Sequence, residues 1–308
     1  MGFTNFPNGV TSLGIPQIGG GIPVTGGSYF FVDSGSTGTA TGANVGTWDN
    51  PYTTLMAAYA ACTASAYDVI VMKAGHAETM ATDTGWALNK IGVAVVGLGR
   101  GDGRPVLTLT GTTTAATIAV SAANQTFHNF VVKIGFTEII AIWTVSAAHV
   151  TFDAVDFVEN TTAFQALSYI LTTAAGDYLR VKNCDIRQVT AAIGNAPCIS
   201  LVGADDVTIE NNRIFWIGAN NAITSGIQSV GTVALRALLK DNLLHITGGT
   251  NVIPITMLAS STGMAFNNHV FSTKTALAGS IALANLYGSQ NYAENAVNKG
   301  AVLDPVVT

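Results

Sequence analysis

Two carboxylates, Asp156 and Asp185, hold the same position in successive copies of an eight-residue pattern, Val150–Phe157 and Leu179–Ile186. If each copy belongs to one layer of a stack of strands, the two side chains stand about 5 Å apart, one interstrand step. That spacing suits a retaining glycosidase pair, in which one carboxyl group gives a proton and the other attacks the sugar. Glu159, Arg187 and Arg213 lie close by in the same register. The column that holds the two acids runs on into Arg213, so a surface charge network also accounts for them. The sequence favours that plainer reading and gives no firm catalytic residue.

Other residues with chemical potential are scattered. Asp205-Asp206 lies between two copies with no third carboxylate in register, which suits the cap of a bend better than a hard-cation site. His76, His128, His149, His245 and His269 fall in different copies and columns, although His245 and His269 could be near each other. No Ser/His/Asp or His/Cys constellation stands out. Cys62, Cys184 and Cys198 are odd in number and lack metal-ligand spacing, so they read as small buried hydrophobes, compatible with a reducing cytoplasm. No metal and no cofactor are expected. The Gly-rich stretch Gly97–Gly103 lacks the order of a nucleotide fingerprint and is followed by Pro105 and β-branched residues, so it reads as a tight turn between strands. Trp143, Trp216, Phe215 and Tyr169 are candidate platforms for sugar stacking. In an oligomer an outward aromatic among them serves an interface more readily than a sugar.

The pattern that positions these residues recurs through Val150–Phe271. Its copies are Val150–Phe157, Leu179–Ile186, Val207–Ile214, Ala237–Leu244 and Met264–Phe271. Aligned on Ala154, Asn183, Asn211, Asp241 and Asn268 they fall 29, 28, 30 and 27 residues apart, and a weaker copy, Gln125–Val132, centres on Asn129. A period in the high twenties with β-forming residues and an amide or acid at a bend marks a solenoid. The chain lacks the Leu-rich consensus of leucine-rich repeats, so a parallel β-helix is expected, each repeat one coil of two or three strands. Matching positions then form columns. One reads His128, Asp153, Lys182, Glu210, Lys240, Asn267, alternating in charge as a solvated face requires. Two others are apolar, Phe127, Phe152, Val181, Ile209, Leu239, Phe266 and Val132, Phe157, Ile186, Ile214, Leu244, Phe271, and should point inward. The Asn and Asp between them tolerate left-handed backbone and can ladder from coil to coil.

Composition bounds the function. Of 308 residues 48% are hydrophobic and only 10% charged, and the net charge of -5 leaves no basic stripe for nucleic acid. No run approaches the ~18 apolar residues of a membrane span, and the start of the chain has no secretion signal. So few charges on a large surface suggest faces buried against other subunits.

Residues 1–27 are rich in Gly, carry Pro7, Pro16 and Pro23, and have no charge. Such a segment cannot be a helix. Phe3, Phe6, Pro7, Val10, Leu13, Ile15, Pro16, Ile18 and Ile22 make it too apolar for an inert linker, and an extended partner-binding arm is expected. A strand and a Gly/Thr/Ser loop follow. The spacing of Leu55, Met56, Tyr59 and Cys62 then predicts a helix over 52–66, with Asn50 as N-cap and Pro51 in the first position. This helix would plug the open end of the solenoid. The expected organisation is an arm (1–27), a strand, loop and capping helix (28–67), a β-helix of about nine coils (68–290) and a tail (291–308).

Several motifs add a resemblance. Val32-Asp-Ser-Gly35, Trp48-Asp-Asn-Pro-Tyr-Thr-Thr-Leu55, Asp68-Val-Ile-Val-Met-Lys-Ala-Gly-His76 and Val95-Val-Gly-Leu-Gly99 resemble the opening coils of right-handed parallel β-helix, pectin-lyase-like proteins, common among phage tailspikes and virion-surface proteins. Gly2-Phe-Thr-Asn-Phe-Pro-Asn-Gly-Val-Thr-Ser-Leu-Gly-Ile-Pro16 looks like the opening of phage head-associated proteins. The resemblance implies an all-β, right-handed parallel β-helix that decorates and cements a phage shell. It implies a homotrimer bound to the major capsid protein, made in the host cytoplasm and placed on the outer surface of the virion. On this reading the chain is not an enzyme. The rival is a tailspike or receptor-binding protein that binds or cleaves host glycan with its outer face.

Overall fold

The computed structural model describes residues 10–12, 15–17, 25–36, 45–81, 85–110, 116–135, 139–159, 166–188, 197–216, 225–247, 252–295 and 301–303. Its strands form three long sheets and one small antiparallel pair, Val10–Ser12 with Ile15–Gln17. Sheet I has ten strands, from Tyr29–Val32 to Asn285–Ser289. Sheet II has ten, from Ala77–Met80 to Ala301–Leu303, and sheet III has eight, from Trp86–Leu88 to Ile281–Ala282. The chain visits sheets I, II and III in turn and returns to sheet I one layer on, with parallel pairing between successive visits. This is a parallel β-helix. The eight strands of sheet III mark eight complete coils, flanked by a leading strand and a trailing partial coil, against the nine expected.

Short alternating strands make this architecture. In Thr151–Asp153 only the middle residue, Phe152, is buried, and in Asp156–Glu159 Phe157 points inward while Asp156 and Val158 point out. Between sheets I and II the chain turns on one left-handed residue, Asn129, Ala154, Asn183, Asn211, Asp241 or Asn267, with φ between 52° and 58°. Asn and Asp accept that geometry cheaply, whereas Ala154 does so at a cost of about 1 kcal/mol or more. Inside, Phe127 stacks on Phe152 with centroids 5.2 Å apart and Trp143 packs on both at 4.6 and 5.0 Å.

The residue after each bend points into the core, and along the shaft its chemistry changes. It is Phe130, Val155 and Cys184 in the earlier coils, then Asn212, Asn242, Asn268 and Asn291, all buried. Each of the first three Asn side chains donates from Nδ2 to Oδ1 of the next at 2.9–3.0 Å. Each Nδ2 also reaches a carbonyl of the preceding strand, that of Val181, Ile209 or Leu239, at 2.9 Å. Asn291 donates likewise to Ala265. The ladder expected at the bends exists as well: Asn211 donates to Asn183, and Asn183 to Asp153, both at 2.7 Å.

The last repeat corrects the sequence register by one residue. Lys240 pairs with Phe266 and Leu244 with Val270, so the bend is Asn267 rather than Asn268. Ala265 and Val270 therefore complete the inward columns, and Phe266 and Phe271 face out. A one-residue slip exchanges the two faces of a strand, and the doublet Asn267-Asn268 hides it.

The capping helix spans Leu55–Ala61, shorter than the expected 52–66, and its N-cap is Thr54, whose Oγ1 accepts the Ala57 N–H at 3.2 Å. Tyr52 is not helical because it bridges to Val32 and donates its N–H to the Phe31 carbonyl. At the other end the Lys90 ammonium takes the carbonyls of Ala60 and Cys62, each at 2.6 Å, as a cation at a helix C-terminus should. Leu55, Ala58 and Tyr59 are buried against the first coils, so the helix is the expected plug. The other end of sheet II is closed by Ala301–Leu303, which pairs antiparallel with Asn291–Glu294.

The outer face of sheet I falls into three zones. Its middle carries the expected ladder, with Lys182 3.2 Å from Asp153 and Lys240 2.8 Å from Glu210. Toward the C-terminal end the outward residues become Leu238, Met264, Phe266 and Tyr287, with Met264 55% and Tyr287 81% exposed. Toward the N-terminal end they are Tyr29, Phe31, Val69, Val71, Ala94 and Val96. There Val69, Val71 and Val96 form an apolar cluster separate from the main core and are at most 1% exposed.

Candidate functional site on sheet II

Sheet II brings the two candidate acids together. Asp156 and Asp185 are direct register partners on adjacent strands, and Asp185 in turn pairs with Arg213. All three side chains face outward, because Phe157, Ile186 and Ile214 take the alternate, buried positions. Arg187 projects from the Asp185 strand opposite Val158 and Phe215, one column away from the acids. Glu159 lies farther along the Asp156 strand.

The two acids are not equivalent. Asp156 is bound by the guanidinium of Arg104, which reaches across from the turn before the Val106–Leu109 strand. The sequence reading missed Arg104. Its signal lay in the register, since Val106 and Val131 precede Asp156 in the same column. Asp185 has a looser partner: Arg213 Nη1 lies 3.7 Å from its Oδ2, while its Oδ1 is buried without a hydrogen-bond partner. Burial pushes the Asp185 carboxyl above its ordinary range, with Arg213 opposing that shift and the Asp156 charge adding to it. Asp156 has a close cationic partner while burial favours the protonated form of Asp185, and such unequal settings are what proton transfer between two carboxyl groups uses.

The other candidates are placed less favourably. Trp143, Trp216 and Tyr169 are at most 1% exposed, which corrects their reading as sugar platforms. They are bulky core residues, and the indole Nε1 of each Trp has no hydrogen-bond partner. Phe215 does face out, as alternation requires when Trp216 points in. Its ring stacks with His245, 5.7 Å away, and His245 stacks on Phe271 at 4.5 Å. Arg213 lies 5.1 Å over the same Phe215 ring. The column is thus an aromatic stack whose ring faces meet each other. Burial within it lowers the His245 pKa. His269 packs instead against Tyr292, with the two rings tilted at 31°, and pairs across the strands with Leu243 rather than His245.

Asp205 and Asp206 cap bends. Asp205 Oδ1 accepts the Leu235 N–H at 2.8 Å, and Asp206 makes a two-point contact with Arg236 at 2.7 Å. Among the described residues no group of three or more His, Cys, Asp or Glu is placed to hold a metal ion. The three cysteines are free and buried. Gly101–Gly103 is a 3-10 turn between the Ala94–Gly97 and Val106–Leu109 strands, as the Gly-rich motif was read. Among the described residues no helix is long and apolar enough to cross a membrane. Of the arm residues, Val10, Ile15 and Pro16 fall in the short antiparallel pair, and Phe3, Phe6, Pro7, Leu13, Ile18 and Ile22 lie outside the described residues.

No family model and no curated protein matches the chain. Among solved structures it is similar to a chain described as "Rhamnogalacturonan lyase", with a TM-score of 0.51 and 13% sequence identity over 80% of this chain and 69% of that one. The likeness is one of fold. It places the chain's architecture among pectin-lyase-like parallel β-helices. It also corrects one expectation: the fold is shared with an enzyme, so the reading of this chain as a protein without enzymatic activity does not stand.

Proposed function

We propose that the chain is a structural protein of a phage particle, a decoration protein whose shafts associate side by side as a homotrimer on the outer surface of the shell and cement it. The observation that carries this reading is the bare apolar zone of sheet I, where Leu238, Met264, Phe266 and Tyr287 face out together beyond the charged ladder. Contiguous exposed apolar side chains mark an interaction surface, and covering each large one contributes about 1–2 kcal/mol. The proposed occupant is the same zone of a second copy, since zones at one height on parallel shafts meet like with like. A protein that binds only the assembled lattice stabilises it by linkage. The resemblance of Gly2–Pro16 to phage head-associated proteins supports the shell as the place. The test is light scattering of the purified chain: a trimer is expected, reduced to monomer by Met264→Glu with Tyr287→Glu while circular dichroism holds. A monomeric unaltered chain would refute the trimer, and labelling that finds the protein on tails rather than shells would refute the location.

A second reading is favoured by the asymmetry of Asp156 and Asp185. In it the shaft binds or cleaves a host-surface polysaccharide along sheet II, the class of substrate that the name of the similar lyase suggests. Release of reducing ends from host polysaccharide by purified particles, abolished by Asp156→Asn with Asp185→Asn, would support it. Cleavage undiminished in the double variant would remove the pair from consideration.

A further inference from the structure

The two apolar ends of the sheet I outer face differ in one respect: the C-terminal zone is bare and the N-terminal one is covered. Val69, Val71 and Val96 point away from the main core, because their neighbours Ile70 and Val95 are the ones that belong to it. Tyr29, Phe31, Ala94 and Leu98 flank them on the same face. Neighbours in the plane of a sheet shield a side chain laterally but leave its outward direction open, so full burial calls for a layer above it.

We propose that this outer cluster is the seat of the chain's own uncharged N-terminal segment, residues 1–24. The chain enters the solenoid beside it. Thr25 bonds through Oγ1 to the Tyr67 carbonyl and accepts the Gly27 N–H at 3.0 Å, and the Ser28 N–H is held by Asp68 Oδ1 at 2.7 Å. Tyr29 then opens the first strand in register with Val69. The segment that precedes Thr25 carries Phe3, Phe6, Val10, Leu13, Ile15, Ile18, Ile22 and Val24 and no charge, which matches an apolar surface. Its one described element is a pair of three-residue strands. A two-stranded pair that short is marginal in water and gains stability from a surface to lie on. The seat also has an edge, since His128, the next outward residue after Val96, is polar and half-buried. The inference does not depend on the shell or on a trimer.

Trp48 at the rim, whose ring meets Phe31 at 5.4 Å, supplies a built-in reporter. In the full chain, a bimane label is placed on Thr4→Cys, Ser12→Cys or Gln17→Cys in turn, the native thiols being buried. At least one label is expected to be quenched at least two-fold relative to the same label in a Trp48→Phe background. Val96→Lys, at an outward position where the next coil tolerates His128, should relieve that quenching with circular dichroism unchanged. If that variant fails to fold, Tyr29→Lys at the half-buried first strand takes its place. The proposal is overturned if no label is quenched or if the seat variant leaves quenching intact. It is equally overturned if labelled Trp48→Phe chains regain the quenching when mixed with unlabelled native ones, which would put the segment on a neighbour.

Discussion

Replacing Asn242 by Ala tests how the interior amide ladder holds the coils together. Asn242 Oδ1 accepts both the backbone N–H of Asn212, at 3.1 Å, and its Nδ2, at 3.0 Å. Its own Nδ2 donates to the Ile209 carbonyl and to Asn268 Oδ1, each at 2.9 Å. The substitution removes the acceptor of two buried donors on Asn212, although the Asn212 side chain keeps its bond to Val181. Asn268 Oδ1 keeps the Asn242 backbone N–H at 3.2 Å. At about 1–3 kcal/mol for each buried group left without a partner, the expected loss is about 2–6 kcal/mol. Guanidinium unfolding followed by tryptophan fluorescence measures it, and hydrogen exchange at the Asn212 amide shows whether the damage is local. In Asn212→Ala with Asn242→Ala one of the orphaned donors no longer exists, so the double variant should cost about 1–3 kcal/mol less than the two single losses together. A loss below about 1 kcal/mol for Asn242→Ala, or additivity within about 0.5 kcal/mol, would refute the claim that the ladder acts as a connected unit.

Ala154→Gly should stabilise the chain by up to about 1 kcal/mol in the same assay, because the bend residue has φ of 54° and Gly adopts it without strain. Asp185 has a folded pKa above its unfolded value, so its contribution is favourable below the ordinary carboxylate pKa and is lost as pH rises through the raised one. Asp185→Asn should therefore gain stability relative to the parent at pH 7 compared with pH 3, and a gain with the opposite pH trend would contradict the assignment. His245 behaves the other way: its folded pKa lies below 6.5, so stability is lost as pH falls from 6.5 through the lowered value. His245→Phe should remove that loss, read as a melting temperature that no longer falls over that range. Burial pushes the Cys62 and Cys184 thiols up to about 12, so a thiol reagent at pH 8 should modify them only after denaturant is added.

Much of this was legible because period and alternation are local signals. The bends at Asn129, Ala154, Asn183, Asn211 and Asp241, and the pairing of Asp156 with Asp185, follow from counting residues between copies. The count failed at Asn267-Asn268, where two identical residues fit one anchor and the choice turned Phe266 and Phe271 the wrong way. The buried state of Trp143 and Tyr169 was missed because they sit in long sheet III strands that the repeat does not cover. Arg104 went unseen because its contact spans 52 residues of chain. The covered outer cluster did have a signal: Val69-Ile-Val-Met72 is apolar throughout, the pattern of a strand buried on both faces, and all four residues are buried. The unequal pairing of Asp156 and Asp185 had none, since it depends on which arginine approaches each acid and how closely.

The closed ends carry a consequence for size. A helix plugs one end and an antiparallel strand caps sheet II at the other, while among the described residues each strand between pairs with the strand of the coil above and the strand of the coil below. The molecule is therefore a ruler with fixed end-pieces and removable divisions. Duplicating one coil, such as 179–206, should lengthen it by about 4.8 Å and shift whatever its two ends hold apart by that increment.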